Sequence, residues 1–140
     1  MKTLIMYYTF SGKCKKEVEK LSEKYEDAII CQIEEKNKYN ILTAIAIGCP
    51  KAMTRKSSKI NKIEYDLNDF ENIVLVAPVW SGFPVPAFNS MVNILPSNKK
   101  VEVYLCSSGG ETPKSKEGTC KLISGRGCTL TRYYDVKTSK

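Results

Sequence analysis

Short apolar runs alternate with amphipathic stretches along this chain. Thr3 to Tyr8 and Asp27 to Ile33 are β-prone and largely apolar, which predicts two strands buried on both faces of a sheet. Between these strands, four apolar residues recur at the spacing i, i+4, i+7 and i+11, with lysines and glutamates between them: Cys14, Val18, Leu21 and Tyr25. This spacing predicts an amphipathic helix.

The middle of the chain, Val74 to Leu95, reads VLVAPVWSGFPVPAFNSMVNIL. The continuous apolar run Ile73 to Ala77 predicts a third strand, which we expect Pro78 to end. A loop containing Trp80 follows, and helical spacing then returns at four apolar residues: Phe88, Met91, Val92 and Leu95. This stretch is therefore expected to form a strand, a loop and a helix.

The remaining elements have weaker patterns. They are a short apolar helix at Asn40 to Gly48 that Pro50 stops or redirects, an exposed basic connection at Lys51 to Lys62, a strand at Lys100 to Cys106, a short helix at Lys116 to Gly125 and an edge strand at Cys128 to Tyr134. Strands that alternate with helices predict an α/β fold in which a five-stranded parallel sheet lies between two layers of helices. With 140 residues and 42% hydrophobic composition, residues 1–140 are expected to form a single domain.

Composition narrows the function classes. The six cysteines form no CxxC pair and histidine is absent, which argues against a zinc site and excludes Ser-His and Cys-His catalysis. Neither a secretory leader nor a run of about 20 apolar residues is present, so we expect a cytoplasmic protein without a membrane partner. The net charge of +7 comes from basic residues spread along the chain without interleaved aromatic residues, which predicts solvated faces and no nucleic-acid partner.

Three of the predicted strands lead into loops rich in Ser, Thr and Gly, and such loops suit an anion. In Thr9 to Cys14, hydroxyls and unpaired N–H groups at a helix amino terminus can surround a phosphate. An ordinary N-cap by Ser11, worth about 1 kcal/mol, is the simpler explanation of this loop taken alone. Trp80 either stacks on a planar ligand or anchors its loop by packing. Ser107 to Gly110 either lets backbone N–H groups approach a ligand or forms an ordinary turn.

Taken together, the three loops resemble those of the flavodoxin family. YYTFSGKCKK is similar to the flavodoxin phosphate loop, the Val74 to Leu95 stretch to the third-strand segment of short bacterial flavodoxin-like proteins, and LCSSGG to the third FMN loop. The resemblance runs in one register from Met1 to about Val136. It implies a flavodoxin-like sheet of order 2-1-3-4-5 with FMN at the switch point between strands 1 and 3, an arrangement that flavodoxins themselves define.

The resemblance also assigns the site. The first loop is expected to hold the ribityl phosphate, the second to line the isoalloxazine with Trp80 on one face, and the third to contact the polar edge of the ring. The residues expected to bind FMN are Thr9, Phe10, Ser11, Gly12, Lys13, Cys14, Pro78, Val79, Trp80, Ser81, Gly82, Phe83, Cys106, Ser107, Ser108, Gly109 and Gly110. No catalytic side chain is implied, because the flavin supplies the redox chemistry. We therefore expect an electron carrier that serves a redox partner protein or a small quinone-like acceptor.

Two departures from the family pattern keep other functions open. Cys14 replaces a hydroxyl residue, so it is either a weaker donor or, beside Lys13 at a helix amino terminus, a thiol of lowered pKa. The loop Ser107 to Thr112 has no aromatic residue, which leaves one flavin face open, and the chain is basic whereas the family's electron carriers are usually acidic. The alternatives are an FMN-dependent NAD(P)H:quinone or flavin reductase and a flavin-free interaction module.

A third departure concerns the last helix of the family, for which only Val136 to Lys140 remains. Without that helix, alternate residues of Ile73 to Ala77 and of Val101 to Leu105 would face water. We therefore expect a homodimer, or another partner, to cover them.

Two other motifs are rejected. Cys120 and Arg126 have the spacing of a Cys-x5-Arg phosphatase loop, but Cys120 is predicted to lie in mid-helix and not directly after a strand. The first loop lacks the first glycine of a nucleoside-triphosphate loop and has Cys14 where Ser or Thr is required.

Overall fold

A computed structural model describes residues 2–10, 12 and 14–138. The strands are β1 (Thr3–Tyr7), β2 (Ile29–Gln32), β3 (Asn72–Trp80), β4 (Phe83–Pro84), β5 (Lys100–Ser107) and β6 (Thr129–Lys137). Five of them run parallel in the order β2-β1-β3-β5-β6, and the short β4 pairs antiparallel with the end of β3. The five long strands therefore have the predicted order 2-1-3-4-5.

Four helical segments connect these strands. They are α1 (Cys14–Lys24), α2 (residues 41–53), α3 (Pro86–Asn93) and α4 (Lys116–Gly125), with a 3₁₀ turn at Leu67–Asp69 before β3. The second segment is α-helical at Ile41–Thr43, π-helical at Ala44–Gly48 and α-helical again at Cys49–Met53. The bounds of α4 agree with the predicted helix, and β6 continues beyond the predicted Tyr134 to Lys137.

Each face of the sheet carries an apolar core. On one face α1 buries Cys14, Val18 and Leu21 against Ile5 and Val74, which is the helix face that its spacing predicts. The larger core lies on the other face, where α3 and α4 pack on the sheet. Its fully buried members include Leu4, Met6, Ile73, Leu75, Phe88, Met91, Leu95, Val103, Leu105 and Ile123. The two cores hold the strand ends, and the loops that follow them, in fixed positions.

No bare apolar face is present on β3 or β5. Ile73 to Ala77 are fully buried, as are the apolar residues of Val101 to Leu105, so the expectation that alternate residues there face water is wrong. The reason is that Tyr25, just beyond α1, reaches β5 and hydrogen-bonds Glu102, while Tyr104 packs against Tyr134 of β6. A homodimer stays a prediction, but these strands no longer support it.

The strand β3 does not end at Pro78. Its pairing with β5 continues to Pro78 and Cys106, and the chain then forms a hairpin with β4 through Val79 and Trp80. The Val76 carbonyl accepts a hydrogen bond from the Tyr8 N–H at 3.0 Å, so alternate residues of β3 direct their backbone toward β1. The last residue of β1, Tyr7, pairs with Val76, so β1 does not reach Pro78. The missing N–H of this proline therefore interrupts no hydrogen bond between β1 and β3.

The helix at residues 41–53 also continues through a proline. Pro50 lies in the first turn of its final segment, where an α-helix needs no N–H from that residue. The preceding turn is π-helical, since the Cys49 N–H donates to the Ala44 carbonyl five residues earlier. Pro50 therefore follows directly after this turn, at the start of the final α-helical segment. The predicted exposed connection therefore begins inside a helix, and Arg55 within it is partly buried and donates from Nη2 to the Ser115 carbonyl at 2.7 Å.

Candidate functional site

The three predicted loops meet at the carboxyl end of the sheet and enclose a cavity of about 180 Å³. The cavity is lined by Thr9, Phe10, Cys14, Pro78, Val79, Trp80, Cys106, Ser107, Ser108 and Thr138. All of these residues except Thr138 belong to the set expected to bind FMN. The structure thus brings together residues that are distant in sequence.

Six described residues of the expected set do not line this cavity. Gly12, Ser81, Gly82, Phe83, Gly109 and Gly110 lie in the same three segments but outside the cavity wall. The remaining two, Ser11 and Lys13, fall outside the described residues. Their expected roles in phosphate binding stay predictions.

Thr9 and Gly12 close a tight turn before α1. The Gly12 N–H donates to Thr9 Oγ1 at 2.9 Å, and Gly12 has a φ of 83°, a left-handed conformation that favours glycine. Leaving out its two chain neighbours, no described residue comes within 4 Å of the position that a Gly12 Cβ would take. The first N–H groups of α1 and the positive end of its dipole make this turn the part of the site best suited to an anion.

Cys14 does not present a reactive thiol. The residue is 1% exposed, and a hydrogen bond with Cys106 together with burial raises the pKa of the Cys14 thiol far above its ordinary value. The hypothesis of a lowered pKa is therefore wrong. Two neighbouring thiols form this part of the cavity wall, and thiols are weak hydrogen-bond donors. This side chain is therefore a poorer donor to an anion than the backbone N–H groups at the start of α1.

The segment expected to be a loop at Val79 to Phe83 is a β-hairpin. Ser81 and Gly82 have φ values of 54° and 84°, which are typical of a two-residue type I′ turn between antiparallel strands. Trp80 and Phe83 face each other across this turn, and the Arg55 guanidinium carbon lies 5.3 Å from the centroid of the Phe83 ring. The hairpin thus forms a rigid wall beside the cavity.

Trp80 is held by packing on several sides. Its ring makes edge contacts with Phe10 and Tyr39, at centroid distances of 5.3 Å and 5.4 Å. A Cβ on Gly48 of α2 would stand 2.4 Å from Trp80 Cζ3, so only glycine allows this helix to lie so close to the ring. Trp80 is consequently both a packing anchor and a wall of the cavity. The sequence predicted neither Tyr39 nor Gly48 as its neighbours.

The third loop is folded back on itself and on β6. The Gly110 N–H donates to Ser107 Oγ at 2.9 Å, and the Ser107 carbonyl accepts from the Thr138 N–H at 2.9 Å. Gly110 has a φ of 71°, and a Cβ there would stand 2.9 Å from the Lys137 Cβ. Thr138 was not among the predicted site residues, because the last strand was expected to end at Tyr134 and it continues to Lys137.

Among the described residues, the cavity lining contains no carboxylate. Its polar groups are the hydroxyls of Thr9, Ser107, Ser108 and Thr138, in addition to the N–H groups at the start of α1. Hydroxyls and N–H groups at a helix amino terminus are suited to an anion. The aromatic rings of the lining, Phe10 and Trp80, both lie on the side of the first two loops.

The rejected phosphatase motif has no site in the structure. Cys120 lies within α4, as expected, and the Arg126 guanidinium donates to the Leu95 carbonyl at 2.9 Å. Within residues 2–10, 12 and 14–138, no group of three or more Cys, Asp or Glu side chains is arranged to hold a metal ion. In the same part of the chain, no helix has both the length and the apolar character to cross a membrane.

No protein-family model matches the sequence, and no curated protein matches it either. The structure, however, matches solved flavoprotein structures. The flavoprotein from Lactobacillus acidophilus NCFM in complex with FMN matches with a TM-score of 0.77 and 21% identity over 94% of this chain and 91% of that chain. The apo-form of the flavoprotein from the same organism gives a TM-score of 0.72 and 22% identity, covering 96% and 92% of the two chains.

Flavodoxin 1 from Bacillus cereus is a more distant match, with a TM-score of 0.60 and 12% identity over 100% of this chain and 86% of that chain. TM-scores of 0.60–0.77 over most of both chains indicate a common fold. The chain therefore has the flavodoxin-like fold, which confirms the predicted fold class.

Proposed function

We propose that this protein binds FMN in the three-loop cavity and acts as a cytoplasmic electron carrier for a redox partner protein or a small quinone-like acceptor. One observation carries the proposal: loops after β1, β3 and β5 meet in a single cavity. In the strand order β2-β1-β3 the chain reverses its direction of winding between β1 and β3, and ligands of open α/β sheets bind at such switch points.

The donors of the site fit the phosphate of FMN. The turn at Thr9 and Gly12 opens onto the amino end of α1, and the cavity lining has no carboxylate that would repel an anion. A volume of about 180 Å³ is below the roughly 300–1,000 Å³ of most ligand pockets. FMN would therefore lie along an open cleft, with only part of it enclosed between the loops.

The other residues of the site would position the ring. Trp80 and Phe10 provide an aromatic wall whose orientation is fixed by Gly48 and Tyr39, and the Ser107 to Gly110 backbone provides groups for the polar edge. The flavin itself supplies the electron chemistry when bound, so the chain needs only to bind and orient it and to limit its contact with water. The match to the Lactobacillus acidophilus flavoprotein, a structure in complex with FMN, supports this proposal.

A second candidate is an FMN-dependent NAD(P)H:quinone or flavin reductase. The third loop contributes Ser107 and Ser108 to the lining but no aromatic ring, which would leave one ring face accessible to a nicotinamide or a quinone. A simple assay separates the two candidates. NAD(P)H should not bleach the bound flavin of a carrier unless a second protein is added, whereas it should bleach the flavin of a reductase directly.

Titration of FMN fluorescence tests the shared proposal. We expect saturable quenching with a dissociation constant in the micromolar range or below. Thr9→Asp keeps an acceptor for the Gly12 N–H but adds a negative charge to the phosphate turn, so affinity should fall at least about tenfold. Ser124→Asp is the matched control and should change it little, because this exposed residue lies near the end of α4, beside the amino end of β6. No quenching at micromolar FMN would contradict the proposal and favour the flavin-free interaction module.

A further inference from the structure

A second cavity, of about 240 Å³, lies beside the first at the ends of β1 and β2. It is lined by Tyr8, Thr9, Phe10, Gln32, Ile33, Glu34, Glu35, Lys38 and Tyr39. Thr9 and Phe10 are shared with the three-loop cavity, but no other residue of the expected FMN set takes part. The two cavities are therefore neighbours with different chemistry.

Glu35 is the unusual residue of this second cavity. Its side chain is buried, with 3% of the residue exposed, and Oε1 accepts a hydrogen bond from the Tyr8 hydroxyl at 2.5 Å. Its other carboxylate oxygen, Oε2, is buried and has no hydrogen-bond partner among the described residues. A buried polar atom without a partner costs about 1–3 kcal/mol, and a charged one costs more, so this oxygen favours any molecule that brings a donor.

The surrounding backbone holds Glu35 in place. The Lys36 N–H donates to the Lys59 carbonyl at 2.9 Å, and the Asn61 N–H donates to the Glu34 carbonyl at 2.8 Å. Lys38 lines the cavity, yet the one salt bridge found in the described part of the chain joins Lys121 and Glu117. Within residues 2–10, 12 and 14–138, no Lys or Arg forms a salt bridge with Glu35.

We propose that this cavity binds a small planar ligand whose N–H groups donate to Glu35, such as a protonated amidine or guanidine. Such a head group forms charge-assisted hydrogen bonds with a carboxylate. The aromatic rings of Tyr8, Phe10 and Tyr39 provide surfaces on which a flat cation is attracted to the ring faces. Glu34 adds a second negative charge at the rim. The inference does not depend on the proposed flavin site.

Calorimetric titration of the full chain with benzamidinium tests this proposal. The wild type should bind saturably below about 10 mM, with and without FMN present. Glu35→Gln keeps the shape but removes the charge, and it should weaken binding at least tenfold. Glu34→Gln, an exposed residue of the same cavity, is the matched control and should weaken it less than threefold because solvent screens its charge.

Two results would overturn the proposal. One is the absence of saturable binding by a wild type that is shown to be folded by circular dichroism. The other is an equal loss of affinity in the Glu35 and Glu34 variants. Because Glu35→Gln removes a buried charge, its thermal midpoint should not fall, so a loss of binding would not reflect unfolding.

The outer surface of α2 carries a second, independent inference. Three neighbouring aliphatic residues of this helix, Ile41, Leu42 and Ile45, are 70%, 78% and 65% exposed, and Met53 at its end is 52% exposed. We name these four residues the α2 patch. Several large apolar side chains exposed along one helix indicate an interaction site more often than a single exposed one does.

Positive charge surrounds the α2 patch. Residues 36–63 contain seven Lys and Arg residues and no Asp or Glu: Lys36, Lys38, Lys51, Arg55, Lys56, Lys59 and Lys62. A cavity of about 350 Å³ beside the patch is lined in part by Lys38, Lys51 and Lys59 together with Ile47. Two copies of this surface would repel each other, whereas an acidic surface would be attracted.

We infer that the α2 patch docks the redox partner protein, through an apolar contact on that partner with a rim of carboxylates. This inference rests on the proposed function. Gly48, on the buried side of the same helix, touches Trp80. A partner on the outer side would thus lie one helix away from the wall of the flavin cavity, which is a short path for an electron.

Stopped-flow reduction of the FMN-loaded, oxidised protein tests the docking surface, with a reduced acidic [2Fe–2S] ferredoxin as the low-potential electron donor. The double variant Leu42→Ser and Ile45→Ser should react at least fivefold more slowly, and the wild-type rate should fall steeply with salt. Ile94→Ser, which changes an exposed aliphatic residue outside the patch, should react like the wild type. Reduction by dithionite should be the same in all three.

Equal rates for the double variant and the wild type would overturn the docking surface. Binding to anionic phospholipid vesicles that the double variant loses would also overturn it, since the patch would then be a membrane contact. A wild-type dimer in sedimentation that becomes a monomer in the double variant would overturn it as well. A parallel FMN titration keeps the outcomes separate. Loss of FMN binding by the wild type contradicts the proposed function, whereas normal FMN binding with unchanged electron transfer contradicts only the docking surface.

Discussion

Two buried glutamates at opposite sides of the molecule differ in how their charge is satisfied. Glu102 on β5 is 5% exposed and accepts hydrogen bonds from Tyr25, from Tyr104 at 2.8 Å and from Asn72 at 3.0 Å. Glu35 is 3% exposed and accepts one, from Tyr8. The first carboxylate belongs to the fold, because its partners come from three different elements. The second has an oxygen left for a ligand.

The pKa of Glu102 reflects its partners. Burial by itself would raise this pKa, but hydrogen bonds from Tyr25, Asn72 and Tyr104 outweigh it and hold the pKa below its usual value. The same contacts act in the opposite direction on the phenols, where burial and the hydrogen bond to Glu102 raise the pKa of Tyr25 to about 12. The group is therefore stable as a carboxylate with protonated phenols at neutral pH.

The largest expected effect follows from removing each carboxylate. Glu102→Leu should lower the free energy of unfolding by about 3 kcal/mol, because it leaves three buried donors without an acceptor. Glu35→Leu should cost about 1 kcal/mol or less, since only the Tyr8 hydroxyl loses an acceptor and an unpartnered oxygen is removed with it. Urea unfolding measures both variants. Equal losses of unfolding free energy would mean that the different hydrogen bonding of the two carboxylates does not affect stability.

Acid should reveal the same contrast. A carboxyl group with a lowered pKa in the folded state contributes stability that is present above its unfolded pKa, near 4.3, and is lost as the pH falls through the folded pKa. Wild-type stability should therefore decrease more steeply below about pH 5 than that of Glu102→Gln, which has no charge to lose. Parallel pH curves for these two proteins would show that Glu102 contributes no such term.

A smaller effect is expected at the contact between α2 and the cavity wall. In Gly48→Ala the new Cβ would stand 2.4 Å from Trp80 Cζ3, so the ring or the helix must move. FMN affinity should fall by roughly threefold to tenfold, or about 0.6–1.4 kcal/mol, with a shift in Trp80 fluorescence. The neighbouring exposed residue provides the control, since Ala46→Ser should leave both signals unchanged. Unaltered FMN affinity in Gly48→Ala would indicate that Trp80 does not contact the flavin ring.

The smallest expected effect is a difference in the rate at which the cysteine thiols are alkylated. Because a hydrogen bond with Cys106 and burial raise the pKa of Cys14, this thiol should react with iodoacetamide much more slowly at pH 7.5 than the half-buried thiols of Cys49 and Cys120. Mass spectrometry of timed digests identifies the order of labelling. Early labelling of Cys14 in the folded protein would contradict the buried thiol pair.

Much of the fold follows from local patterns, and the errors occur where a distant element decides. The spacing of Cys14, Val18 and Leu21 predicts the buried face of α1, and Lys116 to Gly125 forms the helix that its pattern indicates. Pro78 was expected to end β3, but its effect depends on where β1 stops. The position at which β1 ends relative to Pro78 cannot be read from the sequence around the proline.

The candidate site shows the same division. The three loops could be recognised from their hydroxyl and glycine residues in the sequence, and each loop contributes residues to one cavity. The packing of Trp80 between Phe10, Tyr39 and Gly48 could not, because Tyr39 and Gly48 come from a segment with no motif. The buried oxygen of Glu35 was also invisible, since a lone glutamate in a polar stretch is usually exposed.

Mapping FMN onto the backbone amides by ¹H–¹⁵N NMR titration tests the central claim, that the three loops form the flavin site. Binding should shift the amides of Gly12 and Cys14, of Val79 to Phe83 and of Ser107 to Gly110, while those around Glu35 and Glu102 change little. Shifts concentrated at the Glu35 cavity, or no saturable shifts in the presence of excess FMN, would contradict it.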